Sequence, residues 1–219
     1  MKQSRFKQSR PIFRPDLVVA GAPSGVEVYQ LTSDPDVPSS HVYMEAQVFT
    51  PDSKRLVLHR SAHAHGSRRS DPEHQYLLCD LENGCELTPL TYELGATAPA
   101  VSPDGSFLYF VDRTRPGRGR LFLKRVRLNG TERETLLVVD RPVVGIERRP
   151  SRIYPLSTIS SDGKRLAVSA FFGDGQEVNG PWGLMVFDLV RCDVRVVLHG
   201  RDYCNMHPQY SRSADEERS

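Results

Sequence analysis

The chain has 219 residues, 26% of them charged and 38% hydrophobic, with 16 Gly and 16 Pro. That length and mixture allow a sizeable hydrophobic core and exclude a disordered or fibrous chain in favour of a soluble, turn-rich globular one. With 29 Lys plus Arg against 27 Asp plus Glu, the formal charge of +2 argues against bulk affinity for nucleic acid or membrane, so electrostatic arguments have to come from local clusters.

The N-terminal stretch MKQSRFKQSRPIFRP is basic and polar and lacks the apolar core of a signal peptide. Nowhere do eighteen apolar residues run together. Four cysteines, Cys79, Cys85, Cys192 and Cys204, show neither the density of a disulfide scaffold nor paired zinc-type spacing, so a reduced, cytoplasmic compartment is expected. Residues 1–25 therefore read as a basic N-terminal segment, 26–213 as the folded unit and 214–219 as a charged tail.

In chain order, residues 26–32 read as a lone strand. AQVFTPDSKRLVLHR over 46–60 is a short strand, a Thr-Pro-Asp-Ser corner and a second, apolar strand, the pattern of a tight hairpin. Residues 76–80 lead through Leu81-Glu82-Asn83-Gly84 into 85–90, a second hairpin. The first pattern returns as PAVSPDGSFLYFVDR over 99–113, the second as 121–128, Asn129-Gly130 and 134–139. Both return once more, as STISSDGKRLAVSAF over 157–171 and as 184–189 followed by 194–198. Residues 207–211 then look like the first strand of another unit. The corner aspartates Asp52, Asp104 and Asp162 are spaced by 52 and then 58 residues.

Each unit thus holds four antiparallel strands, A to D, which is one blade of an all-β propeller. An ordinary β-sandwich also has short strands and frequent turns, but not the same tetrapeptide recurring in the same strand gap. Three full blades are expected, with a partial blade at each end. The chain stops mid-blade, which reads as a fragment of a longer protein, with completion by a partner or closure of a small ring of four irregular blades as the alternatives.

The segments SPDGSFLYF and SSDGKRLAV resemble the repeats of TolB-like propellers, a broad group that carries no single chemistry. WGLMVFDL, VVLHG and NMHPQYSRS, together with the earlier YLLCDLENGCELTPLT, resemble the oligogalacturonate lyase family. That resemblance implies β-elimination of short pectin fragments on a seven-bladed propeller with a divalent metal such as manganese. It also implies metal ligands in later blades than this chain contains, and His207 in the place of the proposed catalytic base. An oligouronide is then the small-molecule partner.

Elimination at a uronic acid removes a proton from the carbon beside the carboxylate while that carboxylate is neutralised, work suited to a neutral imidazole and to arginines or a metal respectively. Propeller topology puts the B-to-C and D-to-A loops on one face around the axis. There the sequence places His63 and His65, then Arg115, Arg118 and Arg120, a basic rim suited to a polyanionic sugar acid. Against this stand plainer readings: His63 and His65 as a solvated pair lacking a third metal ligand, the arginines as solubilising charge, and His207 as a hydrogen-bonded core residue. Absence of a Gly-x-Ser-x-Gly elbow or a phosphate loop leaves hydrolase and nucleotide roles unsupported. The alternative function is a non-catalytic propeller that binds a protein or peptide partner.

Overall fold

The recurring Ser/Thr-x-Asp-Gly/Ser corner closes in the same way all three times. Thr50, Ser102 and Ser160 each donate a hydroxyl hydrogen bond to the aspartate two residues on, at 2.5, 2.5 and 2.6 Å. Each aspartate in turn accepts a backbone N–H, from Lys54 at 3.1 Å, Ser106 at 3.0 Å and Lys164 at 3.0 Å. The fourth corner residue is left-handed, with φ of 58° at Ser53 and 70° at both Gly105 and Gly163, which is why glycine fills two of the three positions. The side chains thus satisfy the corner's backbone donors and fix the hairpin that follows.

The structure, a computed structural model, describes residues 11–33, 39–60, 75–93, 95–113, 120–173, 180–204 and 206–213. A short pair, β1 (Ile12–Phe13) and β2 (Tyr29–Gln30), runs antiparallel ahead of the first blade. The first blade is β3 (Ser39–His41), β4 (Arg55–Arg60), β5 (Gln75–Asp80) and β6 (Glu86–Pro89). The second is β7 (Ala96–Val101), β8 (Phe107–Asp112), β9 (Leu121–Arg127) and β10 (Glu134–Val139). The third is β11 (Arg152–Ile159), β12 (Arg165–Phe171), β13 (Trp182–Asp188) and β14 (Asp193–Gly200). Within each blade every neighbour is antiparallel and sequential, as expected of propeller blades.

First strands lie innermost and touch across blades: Val101 N donates to Gln47 O at 2.8 Å, and Ser157 Oγ to Ala98 O at 2.8 Å. Between the blades lie two apolar cores. On β8, Leu108 and Phe110 join Val57 and Leu78 of the first blade, while Tyr109 and Val111 on the other face join Leu166, Val168 and Phe187 of the third. The apolar run FLYFVD is therefore a strand buried on both faces.

Three expectations are adjusted. The lone strand over 26–32 narrows to Tyr29–Gln30, and its partner Ile12–Phe13 lies inside the N-terminal segment. Strand A of the first blade begins at Ser39, well before residue 46. It pairs with β4 through His41, leaves the ladder over 42–46, and rejoins it where Phe49 bridges Leu56. Residues 207–211 form no strand; Tyr210 N instead donates to Thr158 Oγ1 of β11 at 3.0 Å.

Candidate functional site

Strand A is irregular at the axial end of every blade. The 42–46 departure has its counterparts in register shifts between Thr97 and Ala100 on β7 and between Ile153 and Ser157 on β11. Such irregularities re-aim side chains and are common beside functional sites. Here they turn Tyr43, Glu45 and Tyr154 toward the segment carrying His207.

His207 is held on both ring nitrogens. Its Nδ1 lies 2.6 Å from Glu45 Oε2, and its Nε2 lies 3.0 Å from Tyr154 Oη. The imidazole stands edge-on to Tyr43 at 5.4 Å between ring centroids and tilted against Tyr154 at 5.2 Å. Tyr43 and Tyr154 are themselves edge-to-face at 6.3 Å. An ionised carboxylate only accepts, so Nδ1 carries the proton toward Glu45 and a neutral His207 presents its Nε2 lone pair to the Tyr154 hydroxyl. The side chains of His207 and Glu45 are 34% and 33% exposed, open enough for a ligand to reach. Burial, a hydrogen bond with Tyr43 and the nearby Glu45 and Cys204 raise Tyr154 above the ordinary phenol range, so its hydroxyl is protonated at neutral pH.

Beside this cluster opens a cavity of about 440 Å³ lined by His41, Tyr43, His59, Tyr76, Thr97 and Tyr154, among others. It sits at the starts of the A strands, beside the end of β4 and the beginning of β5. Mostly apolar and aromatic walls with a few convergent polar groups are the usual make-up of a small-molecule site, and the volume falls in the usual range.

Of the residues expected from sequence, the structure brings His207 into this cluster. Arg120 is exposed at the start of β9 with its guanidinium 5.0 Å above the Phe122 ring, and no contact among the described residues joins it to His207. His63, His65, Arg115 and Arg118 lie outside the described residues. Sequence reasoning missed Glu45, Tyr43 and Tyr154. A signal existed for Tyr154, which precedes Pro155 as His207 precedes Pro208, 53 residues apart and thus one repeat. Among the described residues no three His, Cys, Asp or Glu side chains converge as a metal site, so these residues do not fit a divalent ion. No helix of the described residues is long and apolar enough to cross a membrane.

No family model matches the chain. No curated protein matches its sequence either. Solved structures do resemble it. A structure of oligogalacturonate lyase in complex with manganese superposes with a TM-score of 0.62 at 23% identity, covering 90% of this chain and 49% of that one. The oligogalacturonate lyase of Vibrio parahaemolyticus gives 0.60 at 18% identity, covering 88% and 48%. A putative TolB from Agrobacterium tumefaciens gives 0.51 at 18% identity, covering 80% and 53%. The chain therefore spans about half the length of the solved structures it matches, and at such identities the likeness establishes the propeller fold.

Proposed function

We propose that this chain is part of a lyase that cleaves oligouronides, the sugar acids of pectin fragments, by β-elimination, with His207 as the base that takes the proton beside the carboxylate. The observation that supports it is the placement of His207 at the axial end of the blades. One ring nitrogen is fixed by Glu45 and the other faces a protonated hydroxyl beside an open cavity. The propeller likeness to two structures named as oligogalacturonate lyases is consistent with it.

In this reading the aromatic cavity receives a sugar ring, and Nε2 of His207 takes the proton once the ring displaces the Tyr154 hydroxyl. The freed electron pair forms the ring C=C bond, the glycosidic C–O bond breaks, and the leaving oxygen takes a proton from solvent. Arg115, Arg118, Arg120, His63 and His65 gather the polyanion and offset its carboxylate charge. A divalent metal such as manganese, when bound, would stabilise the charge that develops on the carboxylate. By the resemblance, its ligands belong to later blades than this chain contains.

The test follows the ultraviolet absorbance of the unsaturated uronide product, with the full-length protein, oligogalacturonate and manganese. Absorbance should rise with time, and His207→Ala should lower the rate on the order of 100-fold or more while leaving the melting temperature close to wild type. Absence of any rise, together with retained binding of the oligosaccharide or of a peptide, would favour the non-catalytic propeller instead.

A further inference from the structure

Glu45 lies 162 residues from His207 in the chain, in the first blade, while His207 follows the third, yet its carboxylate meets the imidazole at 2.6 Å. We infer that Glu45 is the positioning residue of His207. Its carboxylate holds the ring proton on Nδ1, so that the lone pair of Nε2 faces the hydroxyl of Tyr154, which lines the cavity, and it steadies the imidazolium once Nε2 has taken a proton. The assignment rests on the elimination reading for its kinetic consequence, but its structural content stands on this contact.

Three observations carry it. First, Glu45 sits where strand A of the first blade leaves the ladder, so its placement at the axis is a departure from regular pairing. Second, the groups facing the ring divide the two nitrogens between them. Glu45 is on Nδ1 and Tyr154 Oη is on Nε2, with Tyr43 edge-on and Cys204 close to Tyr154. Third, Tyr154 Oη stands 3.0 Å from Nε2, within reach to donate its hydroxyl proton there, an arrangement that fits the tautomer a carboxylate on Nδ1 favours. Tyr154 therefore occupies the basic nitrogen until a ligand takes its place. A carboxylate that orients an imidazole in this way acts through the base, and loss of the correct tautomer at such a pair is worth on the order of 10²–10⁴ in turnover.

The test replaces Glu45 by glutamine, which has the same shape, and by aspartate. The side-chain amide can turn its NH₂ toward Nδ1 and drive the ring proton to Nε2. Imidazole ¹⁵N resonances of His207 should show the Nδ1–H tautomer in the wild type and an Nε2–H population in Glu45→Gln. In the elimination assay kcat should fall by roughly 10²–10⁴ with KM little changed, and Glu45→Asp should recover part of the loss. Unaltered ¹⁵N resonances in Glu45→Gln would overturn the positioning role whether or not the protein turns over oligouronides. A shifted tautomer in a protein without lyase activity would leave the role standing and remove the elimination reading. A shifted tautomer with wild-type kcat would remove the catalytic consequence of the role.

Discussion

Lys124 sits between two carboxylates, with Asp112 Oδ2 at 3.0 Å and Glu93 Oε1 at 3.2 Å, while Arg133 reaches Glu93 at 3.3 Å and Leu90 O at 2.6 Å. These contacts staple the loop after β6 to the second blade. Burial, reinforced by Glu93, pushes the Asp112 carboxyl above its ordinary range despite Lys124. Its folded-state value is raised, so its contribution is fully present only below the unfolded value and is lost as pH rises; at neutral pH the ionised Asp112 is a net cost. Asp112→Asn should therefore change stability by no more than about 1 kcal/mol at pH 7, because Lys124 keeps Glu93. Lys124→Met strands the buried Asp112 carboxylate, while Glu93 keeps Arg133, and should lose about 3–5 kcal/mol, read from chemical denaturation. Equal losses in the two variants would refute this account. The same scale shows the limit of sequence reading at the candidate site. His207 was legible through the His-Pro-x-Tyr segment, but Glu45 falls just outside the strand that the corner motif defines. It meets His207 only because three first strands converge at the axis, and no local pattern encodes a contact over 162 residues.

At the scale of the hairpin, Asp52, Asp104 and Asp162 are held below the ordinary carboxylate range, in each case foremost by the hydroxyl of Thr50, Ser102 or Ser160. The fold depresses these values, so the stability they contribute is present above the unfolded value of about 4 and is lost as pH falls through the folded ones. Replacing all three by asparagine should lower the denaturation midpoint clearly at pH 6, and the gap to wild type should close as pH drops below about 4. A gap that stays constant across that range would show the aspartates to be mere turn formers. This corner is also why the blades were legible: hydroxyl, aspartate and left-handed residue recur at fixed spacing because the same two side-chain hydrogen bonds recur. The start of the first blade was not legible, since Ser39–His41 pairs with β4 across an interruption that erases the alternation, and the N-terminal pair rests on two residues from each strand.

Across the whole molecule, each blade buries its faces only against its neighbours, so stability should behave as a sum over adjacent contacts, as in other stacked repeats. Phe110 belongs to the core between the first and second blades, Phe187 to the core between the second and third, and both are fully buried. The outer edge of the third blade is partly shielded by the chain before it, where Val196 N donates to Val144 O at 2.8 Å. At Gly145, with φ of 98°, an added Cβ would stand 2.2 Å from Val196 O, so this crossing demands glycine. Beyond that edge Val197 and Leu198 remain exposed, which makes the third blade the more dependent on its single core. Phe187→Ala should cost about 3–5 kcal/mol. Under native conditions it should accelerate amide exchange first in β12, β13 and β14, leaving β4 and β5 protected. Phe110→Ala should do the reverse, exposing β4 and β5 first, and the two losses should add to within about 0.5 kcal/mol because the cores share no residues. Uniform loss of protection in both variants, or strong non-additivity, would mean that the blades unfold as one block and that the neighbour-by-neighbour description fails.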